Sequence, residues 1–333
     1  MSEPPPAKRR RTEDLEPSIE VLSEPSIETL DALPARSKIW MPHGDIILQA
    51  ESTQFRVHQD ILAKHSSVFQ DMFSLPQPPN EETLEGCPIV HLSDSAIDIE
   101  LILTAFYDPS QDFKIVACMV RLGRKYEMAK FQSDSVSRIH HEFPTRLTTW
   151  DRRTATGLFE KINPASGVLV DLLNLAYENG IYTSIPTLAF RCLHVYSLLF
   201  EGVERADGSR ATLPDSTKLI LALALERIQI FQKTNVEWLK EDDTVPNPGC
   251  KSRTKCIKEQ TTMARIECLD RKVDLTYTIH AWSKAGEGKW SNRLCFSCEE
   301  AAKTEYDAGR RQAWDRLPGF FGLPAWKDLK DMD

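Results

Sequence analysis

Gly44-Asp45-Ile46-Ile47-Leu48-Gln49-Ala50-Glu51-Ser52-Thr53-Gln54-Phe55-Arg56-Val57-His58 holds two short strand-like runs joined by Glu51-Ser52-Thr53. In the second run apolar Phe55 and Val57 alternate with polar Gln54, Arg56 and His58, the period-2 pattern of a half-buried strand. Downstream, apolar residues recur at helical spacing around 61–64 and 68–73. A polar, proline-containing loop at 75–86 follows, and then a third strand at 88–92. Ser93 or Asp94 is placed to cap a helix over about 96–107, because its side-chain oxygen can accept an unpaired N–H of the first turn. Phe113, Val116, Ala117 and Val120 share one face of the next helix, and another covers about 128–140. A hairpin, one more strand and interleaved helices make an α/β module with a helical cap, placed at 37–142.

The rest of the chain reads as mostly α-helical. Leu169, Leu172, Leu173 and Ala176 form one apolar stripe, and Tyr177-Glu178-Asn179-Gly180 ends that helix at a glycine. Ile185, Leu188, Ala189, Cys192 and Tyr196 form a second stripe, and Leu221, Ala224, Leu225 and Ile228 a third. These place a helical domain at 143–240. Residues 241–333 form a cysteine-containing region with a final helix and an aromatic tail, Trp314, Leu317, Phe320, Phe321, Leu323, Trp326 and Leu329, that folds back onto the helical core.

Composition bounds the function. The 333 residues are 41% hydrophobic, enough for real cores, and the formal charge of −8 gives no global basic field for gripping nucleic acid. No apolar stretch has the length of a membrane span, and the polar, proline-rich start is not a secretory signal, which together predict a soluble, unsecreted chain in the nucleus or cytoplasm. Residues 1–36 read as a disordered tail rich in Pro, Ser and Glu. The tail contains the echo Glu16-Pro17-Ser18-Ile19-Glu20 and Glu24-Pro25-Ser26-Ile27-Glu28. It also contains a basic run, Lys8, Arg9, Arg10 and Arg11, of the kind a nuclear import receptor reads.

The segment from Gly44 to Met128 resembles the BTB/POZ domain family. The matching strings run in order: Gly44-Asp45-Ile46-Ile47-Leu48, Phe55-Arg56-Val57-His58, Leu62-Ala63-Lys64-His65-Ser66-Ser67-Val68-Phe69, Met72-Phe73, His91-Leu92 with Ser93-Asp94-Ser95, and Phe106-Tyr107-Asp108. Leu122-Gly123-Arg124-Lys125-Tyr126-Glu127-Met128 is similar to the version common in fungal members. The resemblance implies a small sheet flanked by helices whose role is homotypic or heterotypic assembly. In some members it implies recruitment of a cullin scaffold for a ubiquitin ligase. It places Asp45 near a dimer interface, against the plainer reading of an exposed strand-start residue. His58 is assigned to the same interface, as a packing residue. Many dimeric members exchange an apolar strand upstream of this point. Residues 31–37 offer little apolar sequence for one, which counts against strand exchange but not against association.

Eight cysteines occur in a chain without a signal peptide, so reduced thiols are the expectation. Cys87, Cys118 and Cys192 sit in apolar contexts as small core residues. Cys295-Phe296-Ser297-Cys298 is a C-x₂-C pair, a half-site for tetrahedral zinc, and Cys250 and Cys256 are the other half, with Cys268 or His280 as substitutes. A structural zinc is the one cofactor this pattern admits. The alternative is reduced cysteines in a helical domain. Basic Lys251, Arg253, Lys255 and Lys258 flank the cluster and favour thiolates.

Dinucleotide, P-loop, zinc-protease and nucleophile-elbow motifs are all missing, Cys118 reads as an inert core thiol and His140-His141-Glu142 as a solvated helix end, so no enzyme is expected. Two function classes remain. The first is a non-enzymatic adaptor that binds itself or other proteins through the α/β module. The second is a nuclear, zinc-containing transcriptional regulator working through its cysteine cluster. The acidic balance favours the first.

Overall fold

The computed structural model of the protein describes residues 34–332 apart from 76–81, 108–111, 158, 196–199, 241–243, 270–275 and 283–292. The tail with its basic run Lys8, Arg9, Arg10, Arg11 and the Glu-Pro-Ser-Ile-Glu echo lies outside the described residues. Cys268 lies on a helix whose side chain there is not described.

The first half is built on a sheet of order β1-β3-β2-β5-β4. Its strands are β1 (Ala35–Trp40), β2 (Ile46–Ala50), β3 (Thr53–Val57), β4 (Thr83–Leu84) and β5 (Cys87–Leu92). β2 and β3 pair antiparallel with Ile46 opposite Val57 and Leu48 opposite Phe55, and β2 pairs in parallel with β5. That register sends Ile46, Leu48, Ala50, Phe55 and Val57 to one face. There they meet Leu62 of α1 (Gln59–His65), Phe69 of α2 (Ser67–Ser74) and Ile99, Ile102 and Leu103 of α3 (Ala96–Tyr107). Ile47, Cys87 and Ile89 take the other face beneath Trp40 and Leu84. Over them Arg36 lies 4.5 Å from the Trp40 ring centre and, with Arg56, grips Glu85.

Strand β1 was not expected from a stretch reading Ala35-Arg36-Ser37-Lys38. It pairs in parallel with β3 of its own chain, Ala35 opposite Thr53 and Trp40 opposite Arg56. The upstream strand therefore exists but completes its own sheet. Two local expectations are also corrected. The loop over 75–86 contains β4, and the cap of α3 is Ser95, whose Oγ accepts from the Asp98 N–H at 3.2 Å. Asp94 instead meets Lys125 Nζ at 2.7 Å and accepts from the Tyr126 hydroxyl.

Helix α4 (Phe113–Lys125), capped by the Asp112 side chain, divides its circumference. Ile115, Cys118, Met119 and Leu122 enter the sheet-side core, while Val116, Ala117 and Val120 enter a second core. That second core gathers Ile139 of α5 (Ala129–Glu142), Trp150 of α6 (Leu147–Thr156), α7 (Val168–Glu178), α8 (Ile185–Leu193) and α9 (Asp215–Asn235). Between α8 and α9 a small hairpin, β6 (Val203–Glu204) with β7 (Arg210–Ala211), crosses over. The helix ahead of Gly180 stops as its glycine predicts, with Gly180 at φ +67° and the Ile181 N–H bonded back to Ala176 O.

A third cluster joins Trp238, Cys256 and Met263 of α10 (Arg253–Leu269), Trp282, and Cys298, Ala302 and Tyr306 of α11 (Phe296–Phe320). The far end of α11 returns to the second core: Trp314, Leu317, Phe320 and Phe321 pack there, with Leu323 and Trp326 against it. The final residues stay bound. Trp326 Nε1 donates to Trp314 O at 2.7 Å, and Asp331 accepts from the Thr183 N–H at 2.8 Å while pairing with His140. Helices α9 and α11 approach at Gly309, where a Cβ would fall 1.7 Å from Asn235 Oδ1, so a larger residue there would have to displace the Asn235 side chain. No helix among the described residues is long and apolar enough to cross a membrane.

His140-His141-Glu142 is not a solvated helix end. Glu142 is fully buried, accepts from the N–H groups of Phe159, Glu160 and Lys161, and pairs with buried Arg153. Replacing Glu142 with Ala leaves buried Arg153 with Glu160 as its remaining carboxylate and takes the acceptor from three N–H groups. A loss of about 3–5 kcal/mol is expected. Urea unfolding of the full chain checks it, and a change near zero would show the pair to be dispensable.

Candidate assembly surface and cysteine cluster

Two places carry the candidate side chains. The first lies along α1 and α2. Asp45 leads into β2, is exposed, and its Oδ1 accepts from the Gln59 N–H at 2.8 Å. The residue at the helix start, His58, makes no capping bond of its own, so Asp45 supplies the cap from the neighbouring strand. His58 Nδ1 lies 3.2 Å from the Tyr107 hydroxyl. Burial raises the Tyr107 hydroxyl above its ordinary range. Beside it the His65 ring stacks on Phe106 and meets the edge of Phe131, and burial lowers its pKa, keeping it a neutral aromatic partner at neutral pH.

Around these residues Val68, Met72 and Phe73 are only half-buried, and Leu75 is 66% exposed. The outer face of α4 is different. Its Val116, Ala117 and Val120 are 3% exposed or less because this chain's own helical core covers them. The α4 face is therefore filled by this chain, and the α1–α2 ridge stays accessible. Cys118 and Cys192 sit in the cores at 0% exposure, and burial pushes each thiol up to about 12, the opposite of a nucleophile's requirement.

The second place is the cysteine cluster. Cys250, Cys256, Cys295 and Cys298 bring their sulfurs within 4.8 Å of one another. Two pairs far apart in sequence meet because two helix starts converge: Cys256 lies in the first turn of α10, and Cys295 and Cys298 flank the start of α11. Asn247 ties the approach loop down, donating through Nδ2 to Ser297 O at 2.9 Å. Cys295 Sγ lies 3.7 Å from Cys250 Sγ, and the Cys295 N–H points at Cys256 Sγ from 3.3 Å. Four thiolates around one ion at about 2.3 Å stand roughly 3.8 Å apart, so a contraction of about 1 Å at the longest edge completes a tetrahedron. The environment splits the thiols. The Cys298 backbone N–H pulls Cys295 down to about 6, whereas burial raises Cys256 and Cys298.

Of the substitutes, His280 lies elsewhere, its ring 5.8 Å from Trp150 and 5.7 Å from His194. Asn247 was invisible to motif reading, because nothing in its sequence neighbourhood marks it as the clamp of a distant helix start.

Replacing Asp45 with Ala is expected to destabilise the chain by about 1 kcal/mol, and Asp45→Asn, which keeps the acceptor, by a few tenths. Equal losses in urea unfolding would mean that the charge, not the cap, matters.

Residues 41–141 match the BTB/POZ domain family, under a third of the chain. No curated protein matches the chain. The sheet order, the Asp45-led β2, the half-exposed α1–α2 ridge and this match agree, and the chain carries a BTB/POZ domain, an interaction module and not a catalytic one, at residues 41–141.

Proposed function

We propose that the chain is an assembly protein. Its BTB/POZ domain joins a second copy or another protein along the α1–α2 ridge, with Asp45 and His58 at the margin. The observation that carries this reading is the unequal treatment of the domain's apolar surface: the α4 face is filled in cis, while Val68, Met72, Phe73 and Leu75 stay accessible. An α/β module that keeps such a ridge exposed stabilises itself by association. A cullin-type scaffold is the heterotypic partner that the family resemblance suggests.

The same reading assigns a structural zinc to Cys250, Cys256, Cys295 and Cys298. The third core is small, and an ion joining α10 to α11 would supply there the cross-link that a small core lacks. A nuclear regulator that contacts nucleic acid through this region is the second reading. It would use Lys8, Arg9, Arg10 and Arg11 for import, and the formal charge of −8 weighs against its nucleic-acid contact.

Light scattering on the full chain at micromolar concentration is expected to give a dimer or larger species, and Met72→Glu with Phe73→Glu to give a monomer of unchanged helix content. A monomeric wild-type chain would refute self-association and leave a heterotypic partner to be sought. Elemental analysis is expected to find one zinc per chain, lost in Cys256→Ser with Cys298→Ser. Zinc-free, fully folded protein would remove the metal assignment.

A further inference from the structure

The start of α10 carries more positive charge than the cysteine cluster accounts for. Lys251, Arg253, Lys255 and Lys258 are all exposed, and none forms an ion pair with another described residue. They crowd the end of a helix whose dipole is already positive, where cations are disfavoured. A zinc ion held by four thiolates has a net charge of about −2, which offsets only part of them. The nearest acids are engaged or few: Glu259 pairs with Arg293 at 3.2 Å, Glu300 approaches Lys303 at 3.9 Å, and Glu299 stands in the first turn of α11. Two apolar side chains stand in water at the same pair of helix starts, which the cysteines bring together: Ile257 on α10 at 44% exposure and Phe296, the first residue of α11, at 83%. Phe296 stands between Cys295 and Cys298, and a metal ligand pair needs no aromatic ring there. A basic face with an apolar foot fits an acidic, apolar peptide.

The chain contains one. Residues 12–31 hold seven acids, Glu13, Asp14, Glu16, Glu20, Glu24, Glu28 and Asp31, and no Lys or Arg. Leu15, Ile19, Val21, Leu22, Ile27 and Leu30 are interleaved with them. The repeated Glu-Pro-Ser-Ile-Glu sets one isoleucine between two acids in each copy, the chemistry that an apolar foot ringed by lysines would take. The described chain begins at residue 34, so the fourteen residues from Glu20 onward can span about 46 Å at roughly 3.3 Å each. A folded body of this length has a radius of gyration of about 19 Å, which makes it roughly 49 Å across, comparable to that span.

We propose that the basic face formed by Lys251, Arg253, Lys255, Lys258, Ile257 and Phe296 binds the acidic segment 12–31 of this chain, from the same or a second copy. The face uses the helices of the zinc assignment but does not require the metal.

Zero-length carbodiimide cross-linking of the full chain, read by peptide mass spectrometry, tests this. Cross-links from Lys255 and Lys258 to Glu16, Glu20, Glu24 or Glu28 are expected. They should be lost near 1 M salt and reduced several-fold by Phe296→Ala, which leaves every reacting carboxylate and amine in place. A mixture of ¹⁴N and ¹⁵N chains separates binding within one copy from binding between two. No cross-link between 12–31 and 251–258, or one indifferent to salt and to Phe296→Ala, overturns the proposal. So does tight, salt-sensitive binding of a DNA oligonucleotide to this face with tail cross-links absent. Zinc is measured in the same samples: cross-links without zinc leave this inference standing and remove the metal assignment.

Discussion

Helix α4 is asked to complete two cores at once. Its Ile115, Cys118, Met119 and Leu122 close the space under the sheet, and its Val116, Ala117 and Val120 close the space among α5, α7 and α8. A helix apolar on most of its circumference cannot be solvated on either side, so the BTB/POZ domain and the helical region hold each other in place. Removing the helical region would expose Phe113, Ile139 and Phe143 along with the α4 face. An isolated domain fragment would then associate through a surface that the whole chain never presents. The proposed association is therefore to be measured on the full chain, where α4 is covered and the α1–α2 ridge is accessible.

This division also says why the sheet can be self-contained. With β1 laid in parallel on β3 and the Arg36–Glu85–Arg56 group covering the outer face, the sheet does not depend on a strand from a partner. The association proposed above would then rest on side chains of α1 and α2, a contact of helix surfaces that leaves the sheet intact.

What could be read from the residues follows how local each signal is. The β2–β3 hairpin, α3, α4 and the Gly180 stop were legible because alternation, helical period and a left-handed glycine are properties of a few consecutive residues. β1 was not, since Arg36, Ser37 and Lys38 become a strand only by pairing with residues far along the chain. Glu142 read as solvated because the groups that bury it, Arg153 and the N–H groups of 159–161, arrive from the next segment. For the cysteines, the Cys295–Cys298 spacing marked a half-site. The wider Cys250–Cys256 spacing matches it because a turn at Asn247 and the first turn of α10 fold those sulfurs back together. The Asp45 cap was hidden for the same reason as β1: donor and acceptor lie on different elements.

If α4 does join the two cores, neither half can open alone. Native-state hydrogen exchange in rising urea measures this directly, comparing amides of β2 and β3 with those of α7 and α8 in the wild-type chain and in Val116→Ala. A shared opening free energy, lowered equally in both halves by the substitution, is the predicted result. Separate opening energies, with Val116→Ala lowering only that of α7 and α8, would contradict it.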